Sequence, residues 1–209
     1  MTATQQRPLT LDAIETDAES LGFSISCEEA VGQLLRALAA SKPGGRLLEL
    51  GTGTGAGTAW LLAGMDEHAR LDTLDNDPER LGVARRHHTL DPRVTIFEAD
   101  GGEWLGDRAT DDGPGYDMVF ANTRPGKFTH LDEALSLVDP GGFYVVDDLA
   151  RQPRQTSLPE DHCLAVEALI KDLETRAGWE RLPLLGWSCG VLVMVRHRPD
   201  PPGPSLNRP

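Results

Sequence analysis

Cysteine, aromatic residues, positive charge and long apolar runs are all scarce in this chain of 209 residues. Cys27, Cys163 and Cys189 are odd in number and far apart. That spacing excludes a disulfide framework and offers no zinc-ligand pattern, so they are expected to be reduced thiols in the core. No apolar stretch approaches the roughly 18 residues that span a bilayer. The opening MTATQQRPLTLD lacks the apolar segment of a secretory signal. No membrane partner and a cytoplasmic location are the expectation. The formal net charge is −13, and an acidic surface repels phosphate backbones, which excludes nucleic acid as a partner. Internal repeats are lacking too. What remains is ordinary for a soluble globular protein: 39% hydrophobic and 25% charged residues, at a length expected for one domain with a sizeable core.

The most informative stretch is Leu47–Thr58, LLELGTGTGAGT. An apolar run ends at Glu49-Leu50, and Gly51, Gly53, Gly55 and Gly57 then alternate with small residues. This predicts a strand, a tight turn and a helix N-terminus. Alternating glycines let the backbone take positive φ and approach a ligand, and a helix start offers unpaired N–H groups and partial positive charge. In α/β proteins such a turn binds nucleotides. Gly51-x-Gly53-x-x-Ala56 fits the dinucleotide fingerprint, with Asp75 beyond it for a ribose hydroxyl. Glu49, Gly51, Gly53 and Gly55 fit better the E-x-G-x-G-x-G turn of class I S-adenosylmethionine (SAM) methyltransferases.

Two helices come before this strand. Leu11, Ile14, Ala18 and Leu21 have helical spacing, with Gly22 as a stop. Ser26–Glu29 reads as a capping box opening a second helix. These N-terminal helices, residues 1–44, are expected to cover a site or form a dimer contact. Beyond Leu50, helices are predicted over Ala56–Met65 and from Asp77-Pro78-Glu79 to about His88. Another follows Asp100-Gly101 and carries Trp104. Strands are predicted over Ala69–Leu74, Val94–Glu98, Tyr116–Ala121 and Gly142–Val146. Asp107–Gly115 reads as a surface loop, Lys127–Val138 as a helix, and residues 150–158 as a polar loop. Ser157–Glu160 reads as a second capping box, opening a helix to about Arg176. Glu180–Leu185 and Val191–His197 read as an antiparallel hairpin at the sheet edge. The tail from Pro199 has five prolines and is expected to be disordered. The fold class is therefore α/β, a doubly wound, mostly parallel sheet with an antiparallel last strand. Residues 45–198 form its core.

In their order, SCEEAVGQLLRAL, LLELGTGTGAGTAWL, LDTLDNDPER, EAD before Gly101, YDMVFAN and DPGGFYVVDDL resemble the SAM-dependent O-methyltransferases of the catechol and caffeoyl-coenzyme-A type. The resemblance covers roughly residues 20–197. It implies methyl transfer from SAM to an oxygen of a small-molecule acceptor, and leaves room for a homodimer. By position, Glu49, Gly51, Thr52, Gly53 and Gly55 would line the methionine part of SAM. Asp75 would accept from the ribose hydroxyls, and Asp100 and Gly101 would sit by the adenine with Trp104 near. The family holds Mg²⁺ or another divalent cation with an Asp after the fourth strand and an Asp-Asn pair after the fifth. Here those positions are Asn122, Asp147 and Asp148, so the inventory is permuted: two carboxylates and one amide oxygen, all acceptable to hard cations. The family's lysine, three residues after its first metal ligand, is Pro125 here; Lys127 is expected to reach the site from a helix start. Lys127 and Asp147 are the catalytic candidates, and His130 is a further candidate base.

Three other functions stay open on these residues. One is metal-independent methyl transfer to nitrogen, carbon or a protein side chain. Another is SAM binding without catalysis. The third, a nicotinamide-dependent oxidoreductase, would want a Tyr-x-x-x-Lys pair, and neither Tyr116 nor Tyr144 is followed by that lysine. Arg151 and Arg154 are candidates for steering an anionic acceptor.

Overall fold

Alternation of apolar residues along each strand builds two cores, one on each face of a single sheet. The computed structural model describes residues 7–23, 27–150 and 160–199. Five parallel strands form the sheet's body: β1 Arg46–Leu50, β2 Arg70–Asp75, β3 Val94–Glu98, β4 Tyr116–Ala121 and β5 Val138–Val146. A final hairpin, β6 Trp179–Leu184 and β7 Val191–Arg196, is antiparallel. The spatial order is β3-β2-β1-β4-β5-β7-β6, with β7 antiparallel to β5, so the expected antiparallel last strand is present.

On one face Leu47, Phe120, Val145 and Val193 pack with Val31 and Leu35 of α2 (Glu29–Ala40) and Leu61 of α3 (Ala56–Gly64). On the other, Leu48, Val119, Tyr144 and Met194 meet Leu105 of α5 (Gly101–Thr110), Ala134 of α6 (Leu131–Ser136) and Leu169 of α7 (Glu160–Thr175). Period-two alternation sends Leu47 and Leu48 to opposite cores. Two further helices complete the described chain: α1 Leu11–Ser20, and α4 Pro78–His88, whose N-cap Asp77 accepts from the Glu79 and Arg80 amides.

The N-terminal helices are seated by small residues. A Cβ on Gly32 of α2 would strike the indole of Trp60 in α3, and one on Gly64 of α3 would strike the Arg36 carbonyl oxygen of α2. Each helix thus gives the other a notch, and Trp60 is wholly buried between them.

Several boundaries differ from the sequence reading. α2 opens at Glu29 with Glu28 as N-cap, so the capping box does not start the helix at Cys27; its Ser26 lies outside the described residues. α5 continues to Thr110, through what was expected to be loop. The helix expected over 127–138 is only α6, and β5 begins at Val138. The cause is a turn: the Arg124 carbonyl accepts the amides of Lys127, Phe128 and Thr129 at 3.2, 2.8 and 3.1 Å. The buried Tyr144 hydroxyl donates to the Gly126 carbonyl at 2.6 Å, holding that turn to the sheet. Residues 151–159, with the expected capping serine Ser157 and the loop's Arg151 and Arg154, lie outside the described residues, as does the tail beyond Pro199.

Candidate active site at the carboxyl ends of the strands

Strand order turns scattered sequence positions into a row. Reading across the sheet, the carboxyl ends present Asp100 after β3, Asp75 on β2, the glycine turn after β1, Asn122 after β4 and Asp147 after β5. Five strands at about 4.8 Å spacing make that row roughly 19 Å long.

The turn is built to approach other groups closely. Gly51, Gly53 and Gly55 have φ of 100°, 54° and 93°, and a Cβ on Gly51 would lie 3.0 Å from the Asn122 carbonyl oxygen. The Gly51 and Thr52 amides donate to the Leu74 carbonyl at 2.9 and 3.1 Å, which ties the turn to β2. The Gly53 amide donates to Asp75 Oδ2 at 2.9 Å, and Asp75 Oδ1 accepts from the Asp77 amide at 3.0 Å. The two residues expected to share one nucleoside are therefore in direct contact. Asp75 stays half-buried, and each carboxylate oxygen keeps a lone pair for a further donor. Over Gly53 lies Phe23, whose ring would be 3.7 Å from a Cβ there, and the Arg80 guanidinium stacks on that ring at 4.4 Å.

Glu49 lies beneath the turn, fully buried. Its Oε2 accepts from the Thr58 hydroxyl of α3 at 2.5 Å and the Thr73 hydroxyl of β2 at 2.7 Å. Thr73 in turn accepts from Thr52 at 2.6 Å. Gly57 in the first turn of α3 leaves room for Oε1, which a Cβ would strike. One carboxyl thus joins the turn, two strands and a helix start. Burial pushes it up to about 7, against the two hydroxyl donors. The sign of the consequence follows from linkage. Between about pH 4.5 and 7 the unfolded chain ionises Glu49 while the folded chain keeps its proton, so stability falls as pH rises across that window. Glu49→Gln should remove the fall. The full effect is about 3 kcal/mol, read as a flattened dependence of melting temperature on pH.

His88, at the end of α4, was not singled out by the sequence reading. It is buried, and its Nε2–H donates to the Gly55 carbonyl at 2.9 Å, with burial lowering its pKa. The available signal was its place at i+7 from Leu81 and i+4 from Ala84, on the apolar face of α4. Thr58, Thr73 and Phe23 were likewise missed.

At the β3 end Asp100 is the N-cap of α5, accepting from the Gly102 and Glu103 amides at 2.8 and 3.0 Å. Gly101 lies against Pro125, 3.0 Å from where its Cβ would be. Trp104 packs on Phe97 with ring centroids 6.1 Å apart. His130 is the N-cap of α6, with its ring against Gly102. It therefore stands at the α5 side of the row.

At the β5 end Asp147 is 6% exposed, and its Oδ1 is buried with no hydrogen-bond partner. Burial is the main reason its carboxyl is pushed up to about 7. Lys127, 4% exposed, comes from the turn after β4 and not from a helix start. Its Nζ donates to the Asp147 carbonyl at 2.5 Å. Burial lowers its pKa, opposed by Asp147 and Asp148. Asn122 is exposed, and Asp148 has φ of 54°. Among the described residues no three His, Cys, Asp or Glu side chains converge as a metal cluster would. The two carboxylates and the amide are oxygen donors of the kind a hard cation accepts, and the Lys127 ammonium on the Asp147 carbonyl adds a positive charge at that end of the row. The glycine turn and Asp75 fit a nucleoside with an amino-acid arm. No described helix is long and apolar enough to cross a membrane.

Comparison with known proteins identifies the family and the fold. Residues 48–149 match a methyltransferase-domain family. The chain is 36% identical over 173 residues to a Mycobacterium ulcerans protein named "Putative O-methyltransferase", covering 80% of this chain and 76% of that one. It is 30% identical over 187 residues to a Mycolicibacterium vanbaalenii protein of the same name, covering 86% and 77%. Among solved structures, the O-methyltransferase TomG from Streptomyces achromogenes, in complex with SAM, superposes with a TM-score of 0.79 at 18% identity over 94% of this chain and 93% of that one. The O-methyltransferase from Bacillus cereus, in complex with S-adenosylhomocysteine (SAH), superposes with a TM-score of 0.77 at 18% identity over 93% of each. At those identities the superpositions establish the fold.

Proposed function

The chain belongs to the SAM-dependent O-methyltransferase family of the class I fold, and from that membership we propose which residues hold cofactor and acceptor. The turn Gly51–Gly55 cradles the methionine end of SAM, with Glu49 anchoring the turn from below. Asp75 takes the ribose hydroxyls, and Asp100 and Gly101 border the adenine. The acceptor is a small molecule whose hydroxyl lies between Asn122 and Asp147. The observation that carries this reading is the contact of the Gly53 amide with the Asp75 carboxylate, at the centre of a row that ends on an unpartnered carboxylate oxygen.

SAM supplies an electrophilic methyl group on a sulfonium and leaves as SAH. The chain's own residues do the rest. Asp147 Oδ1, ionised, accepts the acceptor hydroxyl's proton; a carboxyl held near 7 is matched to that task at neutral pH. The Lys127 ammonium, fixed by the Asp147 carbonyl, faces the oxygen as it becomes anionic. Holding that oxygen in line with the methyl group supplies further acceleration.

Isothermal calorimetry with SAH tests the reading first, with micromolar binding at one site per chain expected. Absence of binding would reject it. A screen of hydroxyl acceptors with labelled SAM then tests catalysis; binding without transfer to any of them would leave a SAM-binding protein in its place.

A further inference from the structure

The acceptor end of the row carries a second cation. The turn after β4 brings Arg124 and Lys127 to one aromatic ring. The Arg124 guanidinium lies 5.7 Å and the Lys127 ammonium 5.2 Å from the centroid of Phe128. The His162 imidazole of α7 meets that ring edge-on, with centroids 5.6 Å apart. The two cations differ in their surroundings. Lys127 is buried, with its ammonium on the Asp147 carbonyl. Arg124 is exposed, and among the described residues its guanidinium faces the ring and no carboxylate. Elsewhere in this acidic chain Arg80, Arg86, Arg93 and Arg176 each hold a carboxylate. The Arg124 backbone is fixed, since its carbonyl accepts the amides of Lys127, Phe128 and Thr129.

We propose that Arg124 determines acceptor specificity by taking a carboxylate on the acceptor, so that the substrate class is an aromatic hydroxy acid. The proposal rests on the methyl-transfer reading above. A planar fork of N–H donors matches a carboxylate with two parallel hydrogen bonds, and stacking on Phe128 holds the fork in place. One guanidinium balances one negative charge, which suits a carboxylate over a dianionic phosphate.

The same arrangement sets the shape of the acceptor. Its hydroxyl is at Asp147 and its carboxylate at Arg124, and a flat ring between them packs on Phe128 as aromatic pairs do. The carboxylate has to stand away from the hydroxyl, because beside it the Asp147 carboxylate would repel the charge. A para relation meets that condition and an ortho relation does not.

The test is calorimetric titration of the SAH-loaded protein with para-hydroxybenzoate and with para-hydroxybenzamide, its neutral counterpart. Wild type is compared with Arg124→Met, which keeps an apolar stem on Phe128. SAH affinity is measured first on both proteins. Wild type should bind the carboxylate at least on the order of tenfold more tightly than the amide, the size of one charge-assisted contact. In Arg124→Met that ratio should fall to near one while SAH affinity is kept; an arginine that served the fold alone would shift SAH and both benzoyl compounds together. The ortho isomer should bind wild type more weakly than the para isomer. Absence of SAH binding overturns the methyl-transfer reading and this proposal with it. SAH binding with no preference for the carboxylate, or with neither compound bound, overturns this proposal alone. So does a preference that Arg124→Met retains, or an ortho isomer that binds the more tightly. If the variant loses SAH, the wild-type preference and the order of the isomers decide.

Discussion

Asp147→Asn is expected to lower kcat by on the order of 10²–10⁴-fold, the range lost with a general base, while SAH affinity changes less than about threefold. The same variant should melt at a higher temperature than wild type at pH 8. The two effects have one origin. Asp147 is buried with an oxygen that no group in the fold satisfies, so its charge is a burden on the folded state that only the reaction uses. An amide of the same shape carries no such charge. Single-turnover rates with SAM and differential scanning calorimetry check both halves. A variant that is slow and also less stable would mean that Asp147 serves the fold and not the proton. The lysine's role separates from this one, because Lys127→Met leaves the buried Asp147 carbonyl without its donor and should lower the melting temperature together with the rate.

Asp75→Ala should weaken SAH binding by on the order of 10²–10⁴-fold, with the effect falling on KM for SAM and little on affinity for the acceptor. Two ribose hydroxyls donating to a carboxylate contribute roughly 1.5–3 kcal/mol each, and every 1.4 kcal/mol is about a factor of ten. The carboxylate also holds the Gly53 and Asp77 amides, so its loss frees the turn as well as the ribose. Asp75→Asn separates the contributions. One side-chain oxygen remains to accept an amide, so the turn is partly kept, and the lost affinity should fall between wild type and the alanine variant. Calorimetric titration of the three proteins with SAH measures the order directly.

The parts of the site that were legible in the sequence are those whose cause is local. Alternating glycines after an apolar run specify a turn by backbone freedom alone. An acid before Pro78 caps a helix by its own side chain. Strands that end in Asp75, Asp100, Asn122 and Asp147 need only the order of a doubly wound sheet to fall in one row. The illegible parts are contacts between elements. Nothing near Glu49 in the chain says that Thr73, 24 residues on, donates to it, or that His88 supports the Gly55 carbonyl from 33 residues away. The helix expected from Lys127 fails for the same reason. The turn that replaces its start is held by the Tyr144 hydroxyl, 18 residues downstream of Gly126 on the next strand. That distant bond is also what sends Lys127 inward, so the error about a helix and the error about how Lys127 reaches the site were one error.

The paired notches at Gly32 and Gly64 bear on how molecules come and go. With Trp60 of α3 packed on Leu11 and Ile14 of α1 and on Gly32 of α2, swinging α2 away would bare the indole edge that Gly32 meets and a facing groove at once, an apolar exposure that costs free energy. The first two helices therefore travel with the cofactor-binding half as a fixed wall. Substitutions that alter entry rates without touching chemistry are therefore expected away from α2 and α3, as rapid-mixing kinetics on variants of either helix would check.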